Sequence, residues 1–224
     1  MIRHEYGEVY DGRLIIPSNW LAGWKAASPL GCMLGSMMGG FLANKFGRRI
    51  TIGTGTFISS VGVALCIVSA KPDEIMVRRV IFLVAKFVQG NGIGQIIVAV
   101  QTYVSEVTPP RLRGPVMALI PLATLTGQLI GAAVIASQAG NFTKWAIVIP
   151  LASQLAFMIP PAITAFILPE SPVHLLEKKR TAGAEKALKR LSRGGADISA
   201  MAEAIQTSMA SATHQGTYAD CFKS

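Results

Sequence analysis

Acidic residues are scarce in this chain. Twelve Asp and Glu stand against 21 Lys and Arg, and charges of both signs fill only 15% of 224 positions. Soluble domains carry roughly a quarter of their residues as charges, so most of the chain cannot be a solvated surface. Cysteine is sparse as well. Cys32 and Cys66 lie in apolar runs and Cys221 near the end, with no spacing that would build a disulfide framework or a zinc site. No histidine cluster, carboxylate pair or nucleophile arrangement is present. No catalytic residue, metal site or cofactor can therefore be named, and the sequence does not read as an enzyme. The opening stretch MIRHEYGEVYDGRLIIPSNW also lacks the apolar core of a signal peptide.

What fills the space is hydrocarbon. Hydrophobic residues make up 51% of the chain, and its mean hydropathy is +0.45. The net charge of +9 would suit a nucleic-acid partner, but long apolar runs between the charges favour a membrane and argue against nucleic acid. A spanning helix needs ~20 mostly apolar residues. Five segments qualify, at about 27–43, 51–70, 80–104, 116–137 and 145–168. Their apolar residues run round the whole helix rather than along one stripe, which excludes a soluble bundle. The expected fold is therefore all-α and integral to the membrane.

Glycines recur at intervals of four. Gly31, Gly35 and Gly39 form one smooth face; Gly90 and Gly94 repeat the pattern, as do Gly127 and Gly131. Small residues at this spacing let helix backbones approach closely in lipid. GNGIGQ resembles a nucleotide-binding loop only superficially, because it lies within a helical run and lacks the last glycine.

Basic residues set an expected orientation. The bend GGFLANKFGRRI carries Lys45, Arg48 and Arg49, and the stretch after the fifth span adds Lys178, Lys179, Arg180 and Lys186. Placing these in the cytoplasm puts residues 1–26 outside as an extracytoplasmic segment. Residues 169–208 then form a cytoplasmic helical segment, followed by a disordered tail at 209–224. In the helical segment Ser171 before Pro172 is a good helix start. Ala184, Leu188 and Leu191 share a face there, as do Ile198, Met201 and Ile205. Asn141-Phe142-Thr143 fits a glycosylation acceptor in an outer loop, a weak signal.

Three of these stretches, in this order, carry a resemblance. GGFLANKFGRR resembles the loop between the second and third helices of the major facilitator superfamily. YVSEVTPPRLRG resembles the loop after the fourth helix of its sugar porters. LPESPVHLLEKKR followed by AEKALKRL resembles the signature after the sixth. The wording of IPSNWLAGWKAASPLG is similar to fungal members. The resemblance implies a partial bundle of about five transmembrane helices, matching helices two to six, plus short cytoplasmic amphipathic helices. The first helix and the second half of the family's twelve-helix fold are not among these residues.

The resemblance also implies roles. Lys45, Arg48, Arg49, Glu106, Arg113 and Glu170 match a cytoplasmic charge network that holds the inner side shut in the outward-open state. Asn44 takes the place of that network's aspartate, which weakens it at one corner, since an amide cannot form an ion pair. Plain anchoring by positive charge explains the cations but not the two glutamates. Lys86 stands where the family has an arginine that faces a first-helix aspartate in proton-coupled members. It can equally be read as a lysine snorkelling to the interface from about two turns inside its helix. Gln128 matches a cavity glutamine, whose amide suits sugar hydroxyls; the alternative is a bond to a neighbouring helix. Pro121 occupies the family's second glutamine position, and Gln95, Gln101 and Gln154 are further intramembrane polar groups without an assigned place.

The expected function is transport of hexoses or disaccharides by alternating access, either passively or by proton symport, with plasma membrane as the family's usual location. The competing expectation is a truncated, non-transporting membrane protein: a sensor, an interaction partner or an incomplete gene product. Expected partners are membrane lipid, a sugar, and either the missing half of a transporter or a self-associated copy.

Overall fold

The computed structural model describes residues 6–10, 13–69, 71–138, 145–191, 199, 201–203 and 205–207. The chain divides into two compact units, Met1–Leu168 and Pro169–Ser224. The first holds five long helices: α1 (Ser18–Phe46), α2 (Arg48–Val68), α3 (Ile75–Val107), α4 (Pro110–Ser137) and α5 (Trp145–Ile167). All five are long and apolar enough to cross a membrane. At 1.5 Å per residue α2 rises about 31 Å, close to the ~30 Å hydrocarbon thickness. The longer α1 and α3 project beyond it.

Three helices begin well ahead of their apolar runs. α1 begins at Ser18 and α3 at Ile75, well ahead of the apolar starts near 27 and 80. Hydropathy marks where hydrocarbon begins, whereas a helix continues into the interface as long as its residues tolerate it. The change moves Arg78 and Arg79 from an expected loop into α3. Ahead of α1, β1 (Glu8–Tyr10) and β2 (Arg13–Ile15) pair as an antiparallel hairpin with Val9 opposite Leu14. This small element escaped the sequence reading, although Asp-Gly between two β-favouring triplets is its usual signal.

α3 is the centre of the unit, packed against α1 on one side and α2 on another. The glycine spacing explains how. A side chain on Gly31 or Gly35 would overlap the α3 backbone at Phe87 and Asn91, and one on Gly39 would lie 2.8 Å from Gln95 Cα. Gly90 and Gly94 face α1 in the same way, at Ser28 and Cys32. Gly55 on α2 approaches the carbonyl of Gly92. In lipid this contact stabilises through dispersion, because the hydrophobic effect does not drive helix against helix there.

α4 is different. None of its described side chains is buried, and a Cβ on Gly127 or Gly131 would meet nothing within 4 Å. The expectation that this third glycine pair packs a helix does not hold among the described residues. Large apolar side chains point outward along the bundle, including Met37 (68% exposed), Phe57 (70%), Leu129 (72%) and Phe166 (79%). Such a surface is a liability in water and a requirement in lipid.

One end of the bundle is closed by an aromatic cluster. Trp24 meets Tyr6 and Phe82 edge to face, with ring centroids 5.5 and 5.0 Å away, and Cys66, Ala85 and Leu151 complete the core there. At the other end Ile52, Ala99 and Ala165 pack together.

The second unit contains α6 (Pro172–Glu177) and α7 (Thr181–Leu191). Proline in the first turn starts α6 after Ser171, although the Ser171 hydroxyl makes no capping bond. The helix stops in a Schellman turn. Lys179 adopts φ 58°, its amide donates to Leu176 O at 2.9 Å, and the Arg180 amide donates to Leu175 O at 2.8 Å. That conformation normally falls to glycine. α7 buries Ala184, Ala187 and Leu188 and exposes its basic residues. Leu191, expected on the buried face, is 39% exposed, and so is Met201 at 41%. Ile198, the acceptor triplet 141–143 and the expected disordered tail lie outside the described residues.

Candidate functional site

The knot of cations is built on a one-residue bend. α1 ends at Phe46, α2 starts at Arg48, and Gly47 between them has φ 102°, a conformation open to glycine and strained for other residues. So short a turn leaves no slack, and it throws three neighbouring cations in three directions.

Arg48 turns inward. Its Nη2 donates to Glu106 Oε1 at 2.5 Å, an ion pair whose side chains are 5% and 14% exposed. Nη1 donates to Ala43 O at 3.3 Å. One guanidinium thus ties the end of α1 to the last turn of α3, using the rigid fork of donors that distinguishes Arg from Lys. Glu106 Oε2 is buried with no hydrogen-bond partner among the described residues.

Arg49 turns sideways. Its Nε donates to Ala165 O at 2.8 Å and its Nη2 to Phe166 O at 2.9 Å. Both are carbonyls of the last turn of α5, where an intrahelical donor has run out and the helix dipole favours a cation. Lys45 turns outward, with Nζ 5.8 Å from the Phe41 ring centroid and 5.4 Å from that of Phe46.

Asn44 and Arg113 are exposed. Glu170 belongs to the second unit, where its Oε1 accepts the Ser171 amide at 3.1 Å. Within the first unit, the expected network thus contains one buried ion pair, Arg48–Glu106, and a helix cap made by Arg49.

Deep in the bundle a polar chain links α3 to α5. Lys86 Nζ donates to Gln89 Oε1 at 3.2 Å, and Gln89 Nε2 donates to Gln154 Oε1 at 2.8 Å. The ammonium also lies 5.6 Å from the Phe82 ring centroid. Because α3 starts at Ile75, Lys86 stands about 16 Å along it, three turns in rather than two. Its ammonium is engaged within the bundle. Gln95, fully buried, donates to Asn91 Oδ1 at 2.8 Å, while Gln101 is exposed.

Gln128 sits on α4 with its side chain exposed and no hydrogen-bond partner among the described residues. Pro121 is exposed two turns earlier on the same helix. Nearby, the Thr124 and Thr126 hydroxyls are spent on carbonyls of their own helix, Ile120 and Leu122.

One buried cation was missed. Arg79 is 2% exposed; its Nε and Nη2 donate to Tyr6 O at 2.9 and 2.8 Å, and its own carbonyl accepts Trp24 Nε1 at 3.2 Å. Tyr6 in turn pairs with the Ser69 hydroxyl at 2.7 Å. This clasp holds the segment before the hairpin against the start of α3. Nothing local in the sequence separates Arg79 from its exposed neighbours.

Several known proteins are similar to this chain. A family model described as sugar (and other) transporter matches residues 3–224. The MFS transporter fmqE of Aspergillus fumigatus is 30% identical over 180 residues, which is 80% of this chain and 32% of that protein. Bovine solute carrier family 2, facilitated glucose transporter member 2, is 33% identical over 171 residues, 75% of this chain and 32% of its own. The fold is similar to that of the proton:xylose symporter XylE bound to 6-bromo-6-deoxy-D-glucose. The TM-score is 0.74 at 21% identity, over 92% of this chain and 46% of that one. The inward-open form of XylE from E. coli gives 0.68 at 24% identity, over 86% and 46%. The chain spans about a third of the length of the curated relatives it matches. With a matching model over nearly every residue, five membrane-spanning helices and a major facilitator fold, this multi-pass membrane protein belongs to the sugar (and other) transporter family.

Proposed function

We propose that the chain forms part of a sugar porter that moves hexoses or disaccharides by alternating access in the plasma membrane. Its amino end lies outside and its second unit in the cytoplasm. The observation that carries this reading is the buried Arg48–Glu106 pair. Anchoring alone requires cations, whereas a buried carboxylate beneath the bend is what a breakable latch requires. Such a pair costs desolvation when formed and leaves an uncompensated charge when broken, so it suits an element with two discrete arrangements. The free lone pairs of Glu106 Oε2 leave room for a further donor from the rest of a complete transporter.

Gln128 is the proposed sugar contact. Its amide offers two donors and an acceptor to hydroxyls, and its exposure on α4 leaves those groups unspent. Lys86 is the proposed coupling residue. Gln89 holds it in place from one side with a neutral amide, which leaves further N–H donors for a carboxylate supplied by another helix.

A second reading has its own support. α4 stands exposed along its length, and a Cβ on Gly127 or Gly131 meets nothing within 4 Å among the described residues, which suits a protein that needs further helices, from other transporter segments or a second copy, before a cavity exists. Uptake of labelled glucose, xylose and maltose in a transporter-null cell separates the two. Uptake by this chain alone, lost in Gln128→Ala, supports the transporter. No uptake despite good surface expression supports the non-transporting protein.

A further inference from the structure

We infer that Lys45, Phe41 and Phe46 form a binding site for the phosphate headgroup of an acidic phospholipid. The inference depends on the chain lying in a membrane and not on its transporting anything. Of the three cations at the bend, Arg48 is taken by Glu106 and Arg49 by the end of α5. Lys45 has two aromatic ring faces for company and no carboxylate or other acceptor among the described residues. Its three N–H donors are therefore open to an acceptor other than the described residues.

Position supplies the chemistry of that acceptor. A one-residue bend joins two spans, and α2 from Arg48 is just long enough to cross the hydrocarbon, so Lys45 stands at headgroup depth. Around it the surface is apolar and open: Phe41 is 65% exposed, Phe46 53% and Ile50 50%. An anion at the ammonium and hydrocarbon beside the rings are both met by one molecule, a phospholipid with net negative charge. The aromatic faces hold the ammonium by cation–π attraction and restrict its long stem, which lowers the ordering cost of binding. Charge complementarity extends the argument. The same end of the first unit carries exposed Arg111 and Arg113, while Glu106, the one carboxylate there among that unit's described residues, is already paired. In the proposed orientation this end faces the leaflet where anionic lipids concentrate.

The test uses the full chain purified in detergent and mixed with phosphatidylglycerol or phosphatidylcholine of matched acyl chains. Bound lipids are counted by native mass spectrometry. The wild type is expected to retain phosphatidylglycerol in preference to phosphatidylcholine. Lys45→Gln should weaken that retention about fivefold, the effect of one basic side chain near an anionic surface. Lys45→Arg should restore it, and Phe41→Leu with Phe46→Leu should weaken it without loss of charge. Lys71→Gln, at the opposite end of the bundle, serves as the control for general attraction. Equal retention of the two lipids, equal losses in Lys45→Gln and Lys71→Gln, or displacement by inorganic phosphate would each overturn the proposal. So would a Lys45→Gln variant that melts earlier to the same extent in both lipids, since Lys45 would then act only on the α1 dipole.

Discussion

Arg48 and Glu106 stand 58 positions apart in the chain, yet their side chains meet at 2.5 Å beneath the bend between α1 and α2. The pair joins three helices, since the same guanidinium also reaches Ala43 O. Its burial means that removing either partner strands a charge, while removing both does not.

Arg48→Ala and Glu106→Ala should each destabilise the chain in detergent by ~3 kcal/mol. The double variant should lose clearly less than the sum, with a coupling of at least about 1 kcal/mol. Thermal melts of the four proteins complete the cycle. Additive losses would show that the two side chains do not act as a pair.

Glycine positions offer a contrast within one chain. Gly35→Ala should lower stability by about 1–3 kcal/mol, because the new methyl meets the Asn91 backbone and the helices must separate. Gly127→Ala, with open space around it, should be neutral or slightly stabilising, since alanine is the better helix former. Equal effects would contradict the closeness of α1 to α3.

Lys179 holds a left-handed conformation at the end of α6. Lys179→Gly should stabilise the second unit by ~1 kcal/mol by relieving the Cβ penalty. Slower hydrogen exchange of the Lys178, Lys179 and Arg180 amides is the expected signature. Faster exchange would mean that the turn is not strained.

Gln128 is exposed and has no hydrogen-bond partner among the described residues, so Gln128→Ala should leave the melting temperature unchanged. On the proposed function it should weaken binding of a labelled sugar about tenfold, the loss expected for one or two hydrogen bonds. Unchanged sugar affinity would remove Gln128 from the site.

Arg49 caps α5 through two donors of one fork. Arg49→Lys can satisfy only part of that geometry, and it should speed hydrogen exchange in the last turn of α5 while leaving α1 unchanged. No change in exchange would show that the cap is unimportant to that helix end.

Much of this was written along the chain. Spans, their number and the close approach of α1 to α3 follow from hydropathy and glycine spacing, because each depends on residues a few positions apart meeting a uniform solvent, the lipid. The bend at Gly47 and the start of α6 after Ser171 are equally local. Cation identity was legible too, but cation partners were not. Lys45, Arg48 and Arg49 look alike in sequence and end on two ring faces, a carboxylate and a pair of carbonyls.

Those choices belong to the tertiary structure. Arg79 becomes a buried clasp only because Tyr6 folds back over it, and the Gln89 that meets Lys86 one turn along α3 is tied to α5 only because Gln154 is brought to it. A charged side chain can reach several acceptors at similar cost, so the packing of helices distant in sequence selects among them. Hydropathy determines which segments enter the membrane; only the assembled helices determine what each polar group inside it touches.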